Sequence, residues 1–353
     1  MNRVHLLPIF FLFLLPIHLA AQDTIATERP ETSLLDVLTQ QELPELSIEM
    51  DFKMLFNDRR MMNYQKAMLS FTFSDGEVWA DEVKVKTRGK FRSLNCDNPP
   101  LKIKYPKKAL AARNLNDLNE FKLVYPCKSN KAYQRYVLKE YLVYKFYNLL
   151  TDNSLRVQLV NLSLKDSLQQ IAPISAKGFL IEHREELIHR LGAKMSDVKC
   201  MRPVQISPHD YTIMQVFQFF IGNTDWLLPT CKNTEVISWE DGTMVPIPYD
   251  FDFSGMVNAV YATPDPIFGM GTITDRYFLG HKKKMEDLLP IFDLFKAKKA
   301  ELLATVANFE YLPKSDRNQM IRYINSFYKI LDNSKRMERV FVHPMAEEMM
   351  EDF

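Results

Sequence analysis

Four polar side chains between residues 219 and 255 are the ones in this chain best arranged for chemistry. Asp225 follows an apolar segment, Asn233 comes one short loop later, and Asp250 and Asp252 follow a second apolar run. Residues two apart in an extended strand share a face, so the last two carboxylates should converge and repel each other without a cation. Carboxylate and amide oxygens are the ligands that Mg²⁺ prefers. The order therefore predicts a site for a divalent metal and the phosphates of a nucleotide.

Each of these residues also has a purely structural explanation. Asp225 belongs to an Asn-Thr-Asp sequence typical of turns and could simply end a helix. Asp250 and Asp252 could be two exposed acids at the end of a strand. In the functional interpretation, Asp225 is the acid that orients an acceptor hydroxyl. Asn233, Asp250 and Asp252 are then the metal ligands.

Positive charges for the phosphates are expected upstream of the acids. Arg88 lies in a loop after a predicted hairpin, while Lys102 and Lys104 share one face of a predicted strand. Either lysine could reach the phosphates with Glu140 as its partner, or both could form the solvent face of an edge strand. Glu182 follows an apolar strand and could lie over an adenine ring, although the start of the next helix is the simpler explanation.

The predicted elements that carry these residues change in kind along the chain. Alternation predicts strands over 67–73 and 78–86, and a helical period follows over 134–150. A later helix should begin at Pro208 with Ser207 as its N-cap. A hairpin is expected around Glu240-Asp241-Gly242, and the chain after 285 is predicted to be helical. The predicted parts are a signal peptide (1–21), a lead-in or linker (22–50), a β-rich part (51–183) and a mainly helical part (184–353).

The N-terminal segment has the pattern of a secretory signal peptide. A positive residue, Arg3, precedes the apolar run 6–19, and the small residues before Gln22 suit cleavage after Ala21. A membrane anchor is the alternative, but the run is short for a span and contains prolines. We therefore expect an exported protein, periplasmic or extracellular, with no stable membrane insertion after cleavage.

Composition limits the classes of partner. The chain has 353 residues and a formal net charge of +1, so no global field favours nucleic acid. Its four cysteines permit two disulfides in an exported protein, and proximity favours Cys96–Cys127 and Cys200–Cys231. Four reduced, buried cysteines are the alternative.

In these residues the chain resembles the CotH kinase-like family of secreted atypical kinases, and especially related exported proteins of Bacteroidetes-type bacteria. The main matches are Gly222–Trp226, Asn233 and Pro248–Asp252, and weaker ones are Lys86–Gly89, Leu101–Lys104, Tyr136–Leu150 and Gly178–His183. The resemblance implies an α+β, two-lobed atypical protein-kinase-like fold, with a β-rich N-terminal lobe and a mainly helical C-terminal lobe. It also implies ATP with Mg²⁺ or Mn²⁺ as cofactors, and phosphoryl transfer to Ser or Thr of cell-envelope or secreted proteins.

By the same resemblance, Asp225 matches the catalytic acid, and Asn233 and Asp250 match the metal ligands. Asp252 matches the second acid of an Asp-x-Asp motif. Two other functions fit the same sequence. A catalytically inactive scaffold that binds an envelope partner is favoured by the long Asp225–Asn233 loop and by the scarcity of glycine, with 10 in the chain. A metal-dependent phosphohydrolase would use the same acids with an activated water.

Overall fold

Seven strands form a closed barrel in the computed structural model, which describes residues 30–60, 62–196, 206–280 and 283–342. The strands are β1 Glu45–Met50, β2 Gln65–Thr72, β3 Val78–Thr87, β4 Leu101–Lys104, β5 Glu120–Val124, β6 Val157–Asp166 and β7 Ile174–Ile181. Their order around the barrel is β1-β2-β3-β4-β5-β7-β6. Neighbouring strands are antiparallel except for β1 and β6, whose parallel pairing closes the barrel.

Helices flank the barrel and follow it, together with a small antiparallel sheet. The helices are α1 Leu34–Thr39, α2 Phe52–Asn57, α3 Lys90–Asn95, α4 Lys107–Ala112, α5 Lys131–Leu150, α6 Arg184–Leu191, α7 Pro208–Ile221, α8 Met285–Ala307, α9 Lys314–Leu331 and α10 Ser334–Phe341. The sheet contains β8 Lys194–Met195, β9 Thr234–Ser238 and β10 Met244–Pro248, in the order β10-β9-β8. Short 3₁₀ turns lie at Leu228–Thr230 and Pro266–Phe268.

The predicted two-lobed kinase-like fold is wrong, because β1 and the six strands of the β-rich part form a closed seven-stranded barrel. The segment 22–50, predicted as a lead-in, contains the strand that makes this closure. Leu46, Ile48 and Met50 alternate along β1 and are buried in the barrel, while Glu45 and Glu49 are exposed. Pairing of β1 with both β2 and β6 leaves no open edge in the sheet.

The described residues form three hydrophobic clusters, of which two are large. One fills the barrel and includes Ile48, Val85, Ile103 and Phe121. The other lies among α5, α7, α8, α9 and β10, and it contains Phe251. Helix α5 packs on β6 and β7 as well as on α7 and α8, so it connects the barrel to the helical part. The candidate acids of this helix and of the segment after β10 are thereby brought to one side of the barrel.

Two sequence predictions concern the membrane. The predicted signal peptide, residues 1–21, lies outside the described residues. In the part of the chain that the structure describes, no helix combines the length and the hydropathy needed to cross a bilayer.

One predicted disulfide is confirmed. Cys96 and Cys127 are bonded, with their Cα atoms 4.8 Å apart. The bond joins the end of α3 to the segment between β5 and α5, so it fixes two elements that approach the candidate site. Cys231 is also disulfide-bonded, and its predicted partner, Cys200, lies outside the described residues.

A partly buried ion-pair network fastens α1 to the barrel. The Arg156 guanidinium lies 2.6 Å from Asp36, 2.8 Å from Glu182 and 3.0 Å from Glu186. Arg190 approaches Glu182 to 3.0 Å. Burial raises the pKa of Glu186 to about 7, although Arg156 opposes the shift. Because three carboxylates share the Arg156 charge, it does not fully compensate Glu186.

We expect Glu186 to make the folded state less stable as the pH rises. Its pKa is about 7 when folded and 4.5 in the reference state, so between these values only the unfolded chain releases the proton. Relative to wild type, Glu186→Gln should therefore gain up to about 3 kcal/mol of unfolding free energy between pH 4.5 and pH 7.5. Urea unfolding across this range measures the gain, with exposed Glu185→Gln on the same helix as the control. A Glu186→Gln difference that stays constant with pH would contradict the expectation.

Candidate functional site

Asp225 is held by the turn that ends α7. Gly222 has a φ of 67°, and a Cβ built on it would lie 2.0 Å from the Tyr323 hydroxyl oxygen, so only glycine fits here. The Asn223 amide oxygen accepts from the Asp225 N–H at 2.9 Å, and its nitrogen donates to Gln218 at 2.9 Å. The turn predicted from Asn-Thr-Asp is thus present, and it fixes the backbone that carries Asp225.

Asp225 and Asn233, which the sequence placed in one site, contact each other. The Asn233 side-chain nitrogen donates to the Asp225 carbonyl at 2.6 Å and to its carboxylate at 3.0 Å. Lys232 approaches the other carboxylate oxygen to 2.6 Å. This orientation leaves the Asn233 amide oxygen without a hydrogen bond from any described residue. Asn233 therefore has an oxygen available as a ligand, whereas both oxygens of Asp225 are occupied.

Asp250 combines a fixed backbone with a carboxylate that no described residue contacts by a hydrogen bond or ion pair. It follows β10 with a φ of 63°, a left-handed conformation uncommon outside glycine. Its N–H donates to the Tyr144 hydroxyl at 2.9 Å, which helps to hold this conformation. No described residue makes a hydrogen bond or ion pair with its carboxylate. Asp250 is thus a fixed, partly exposed acid that can accept a ligand.

Asp252 is buried and shares a cation with Glu140. One nitrogen of Arg92 lies 3.7 Å from each carboxylate, and Tyr261 donates a hydrogen bond to Asp252 at 3.1 Å. Burial and the Asp250 charge raise the pKa of Asp252 to about 6. Burial is the main cause that raises the pKa of Glu140 well above its usual value, and the charge of Asp252 is the second. A single guanidinium therefore serves two buried acids.

The acids predicted from the sequence are electrostatically connected, but they do not form a complete metal cage. The charges of both Asp250 and Asp225 raise the pKa of Asp252. Among the described residues, no group of three or more His, Cys, Asp or Glu side chains is placed to hold a metal ion. A metal would need the Asn233 amide oxygen and ligand or water oxygens in addition to Asp250. This all-oxygen donor set suits Mg²⁺ or Mn²⁺.

Neither predicted strand lysine pairs with Glu140. Both form ion pairs with Glu120 instead, and the Lys104 ammonium lies 3.2 Å from a Glu120 carboxylate oxygen. Lys102 also lies 3.3 Å from the His183 ring. Glu140 has Arg92 as its partner, and Arg88 contributes to the field at Glu140.

Sequence reasoning missed Lys122, which lies closer to the acids. It is on β5, with its ammonium 5.1 Å from the Tyr249 ring centre. Burial lowers its pKa to about 8, Arg88 lowers it further, and Glu235 and Asp250 oppose the shift. The alternating Glu120–Val124 sequence indicates a strand, but the relation of Lys122 to Asp250 depends on tertiary packing.

Glu182, predicted to lie over an adenine, is part of the Arg156 network. It is fully buried and accepts hydrogen bonds from Arg156 and Arg190. The structure thus brings together Asp225, Asn233, Asp250, Asp252, Glu140 and Arg88 through contacts and fields, and gives Glu182 different partners.

In comparisons with known proteins, no family model and no curated protein matches this chain. The resemblance to the CotH family stays a prediction, and function has to be inferred from the side chains themselves.

We expect Arg92→Met to be strongly destabilising, because it leaves two buried carboxylates without a cation. Removal of one partner from a buried ion pair typically costs about 3–5 kcal/mol. Urea unfolding measures the loss. Adding Asp252→Asn to Arg92→Met should restore part of it, since one uncompensated charge is removed. If the double variant is no more stable than Arg92→Met alone, Arg92 does not act by neutralising these acids.

Proposed function

We propose that this chain is a metal-dependent phosphotransferase that moves a phosphoryl group from ATP to Ser or Thr of exported proteins. The observation that carries the proposal is the Asp250 carboxylate, which has no hydrogen bond or ion pair with a described residue and lies in the field of Lys122. The preceding residue, Tyr249, donates its N–H to the Asn233 carbonyl at 3.0 Å, and Asn233 in turn contacts Asp225. An acid with no described partner, among partly buried cations, suits a ligand that brings both a metal and negative charge. The export of this chain is a prediction from residues 1–21, and exported substrates are proposed on that ground.

Asp250 and Asn233 are the residues that would hold the metal. Asp250 offers a carboxylate on a fixed backbone, and the Asn233 nitrogen donates to Asp225 while its amide oxygen accepts no hydrogen bond from a described residue. Mg²⁺ typically uses one or two protein oxygens and completes its shell with phosphate and water. When bound, the metal supplies positive charge against the phosphate oxygens.

Lys122 and Arg88 would bind the phosphates. Lys122 has a pKa of about 8 and is mostly protonated at neutral pH. Its burial reduces competition from water, so its attraction to a phosphate is stronger than that of an exposed lysine. Catalysis of this kind depends mainly on positioning and charge stabilisation.

Asp225 would orient the acceptor hydroxyl. One of its carboxylate oxygens is fixed by Asn233, and the other pairs with Lys232, whose side chain is 53% exposed. An exposed lysine can move from the carboxylate to an arriving phosphoryl group at little cost. This exchange frees the Asp225 oxygen to accept a hydrogen bond from the substrate hydroxyl.

A catalytically inactive scaffold for an envelope partner is the second candidate. Its supporting observation is that two of the acids are already paired. Asp225 contacts Lys232 and Asn233, and Asp252 contacts Arg92 and Tyr261. A site satisfied in this way needs no metal for charge balance at those two acids. The two functions differ in whether nucleotide binding requires metal and Asp250.

We expect Mg²⁺ or Mn²⁺ to increase the stabilisation of the mature protein by ATP, and Asp250→Asn to abolish this metal-dependent increase. At ligand concentrations about 100 times Kd, the stabilisation should be about 2.7 kcal/mol. Thermal unfolding with and without metal measures it. The matched control is Asp241→Asn, an exposed acid in the β9–β10 turn. Absence of any shift in a folded wild-type sample would favour the scaffold.

Asp225→Asn should separate binding from transfer. It retains a polar group of the same size, so ATP with metal should still stabilise the variant. Phosphoryl transfer to a mixture of envelope proteins, followed with γ-labelled ATP, should fall about 10²–10⁴-fold. Label released only as inorganic phosphate, at equal rates from wild type and variant, would contradict the assigned role of Asp225.

A further inference from the structure

Three lysines lie directly opposite one another on neighbouring barrel strands. Lys86 of β3 pairs in register with Lys102 of β4, which pairs with Lys122 of β5. Directly opposite residues lie on the same face of a sheet, with Cβ atoms about 5 Å apart. Their strand neighbours Val85 and Ile103 are buried in the barrel core, so the lysines project from its outer face. We call Lys86, Lys102 and Lys122 the lysine row.

Few of the carboxylates near the lysine row pair with it, since Glu235 and Asp250 act on Lys122 without an ion pair. Like charges directly opposite each other destabilise a sheet. Glu120 pairs with Lys102 but is shared with Lys104 of the adjacent row. Lys86 lies 4.6 Å from the Tyr64 ring centre, and Lys122 contacts the Tyr249 ring. Neither Lys86 nor Lys122 has an ion pair with a described carboxylate, so the row has capacity for an external anion.

The row leads to the candidate site at one end. Lys122 lies in the fields of Asp250 and Arg88 and over the ring of Tyr249, the residue before Asp250. Lys86 is two strands away from Lys122 across the sheet. Strands are about 4.8 Å apart, so the row extends about 10 Å outward from the acids. Its length suits a chain of linked anionic groups better than a single anion.

We infer that the lysine row binds a condensed phosphate chain, with one end beside Lys122 and the remaining phosphates along Lys102 and Lys86. The position of the first phosphate beside Asp250 rests on the proposed function; the row itself does not. Glu120 forms an ion pair with Lys102, and a bound phosphate would replace the Glu120 carboxylate beside this lysine. Recognition then depends on the length of the phosphate chain, which a nucleoside triphosphate and inorganic polyphosphate share.

The test compares orthophosphate, pyrophosphate, tripolyphosphate and ATP, in EDTA and at constant ionic strength, by isothermal titration. Affinity should increase with chain length from orthophosphate to tripolyphosphate. Lys86→Met should weaken tripolyphosphate binding about tenfold, the effect of one lost charge-assisted contact, and pyrophosphate binding much less. Lys66→Met is the matched control, because Lys66 is exposed on the same barrel face and pairs with Glu82.

Equal affinities for pyrophosphate and tripolyphosphate, or equal effects of Lys86→Met and Lys66→Met, would overturn the inference. Removing a lysine from the row relieves repulsion, so Lys86→Met should remain folded, and its melting temperature verifies this. ATP binding at least as tight as tripolyphosphate binding identifies the nucleotide as the source of the chain. Tighter tripolyphosphate binding identifies inorganic polyphosphate.

The row and the phosphotransferase proposal can fail separately. Binding of tripolyphosphate in EDTA that depends on Lys86 supports the row, even if metal and Asp250 prove irrelevant to ATP binding. Metal-dependent ATP binding that needs Asp250 but ignores Lys86 supports the phosphotransferase and overturns the row. Asp250→Asn in EDTA should leave tripolyphosphate affinity unchanged or increase it, because it removes a negative charge near Lys122.

Discussion

The sharing of Arg92 between Glu140 and Asp252 is the interaction on which the candidate site depends. It joins α3, α5 and the segment after β10, three elements distant in sequence. Burial makes either acid costly to ionise without the guanidinium, so separating the three elements would leave buried charges uncompensated. The Cys96–Cys127 bond begins one residue after α3 ends, and it restricts the helix that carries Arg92. Covalent and ionic constraints therefore act on the same region.

Asp250 has a different character because the acids around it are already paired. Arg92 and Tyr261 satisfy Asp252, while Lys232 and Asn233 satisfy Asp225. The remaining charge is concentrated on one acid whose backbone is fixed by Tyr144. A preorganised carboxylate with no partner among the described residues loses little conformational freedom when it binds a cation. The surrounding ion pairs are thus what make a single acid suitable as a ligand.

Local sequence signals predicted the elements well where short-range physics decides them. Ser207 caps α7 and Pro208 begins it, as its pattern indicated. The hairpin around Glu240-Asp241-Gly242 is formed by β9 and β10. The barrel was missed for a different reason. The alternation of β1 is visible in the sequence, but its parallel pairing with β6 joins residues more than 100 positions apart, and no local pattern encodes that contact.

The cations of the site show the same limit at the level of side chains. Lys102 and Lys104 were correctly placed on one face of a strand, yet which carboxylate they meet depends on the strand beside them. The register of β4 with β5 puts Glu120 opposite Lys104, and that acid captures both lysines. It also puts Lys122 opposite Lys102. Lys122 lies over the Tyr249 ring and in the field of Asp250. A shift of β5 by two residues relative to β4 would keep the same side chains facing the core, but it would change which acid meets each lysine. The register of one strand pair therefore decides which lysine faces the acids, and hence where an anion can meet a metal.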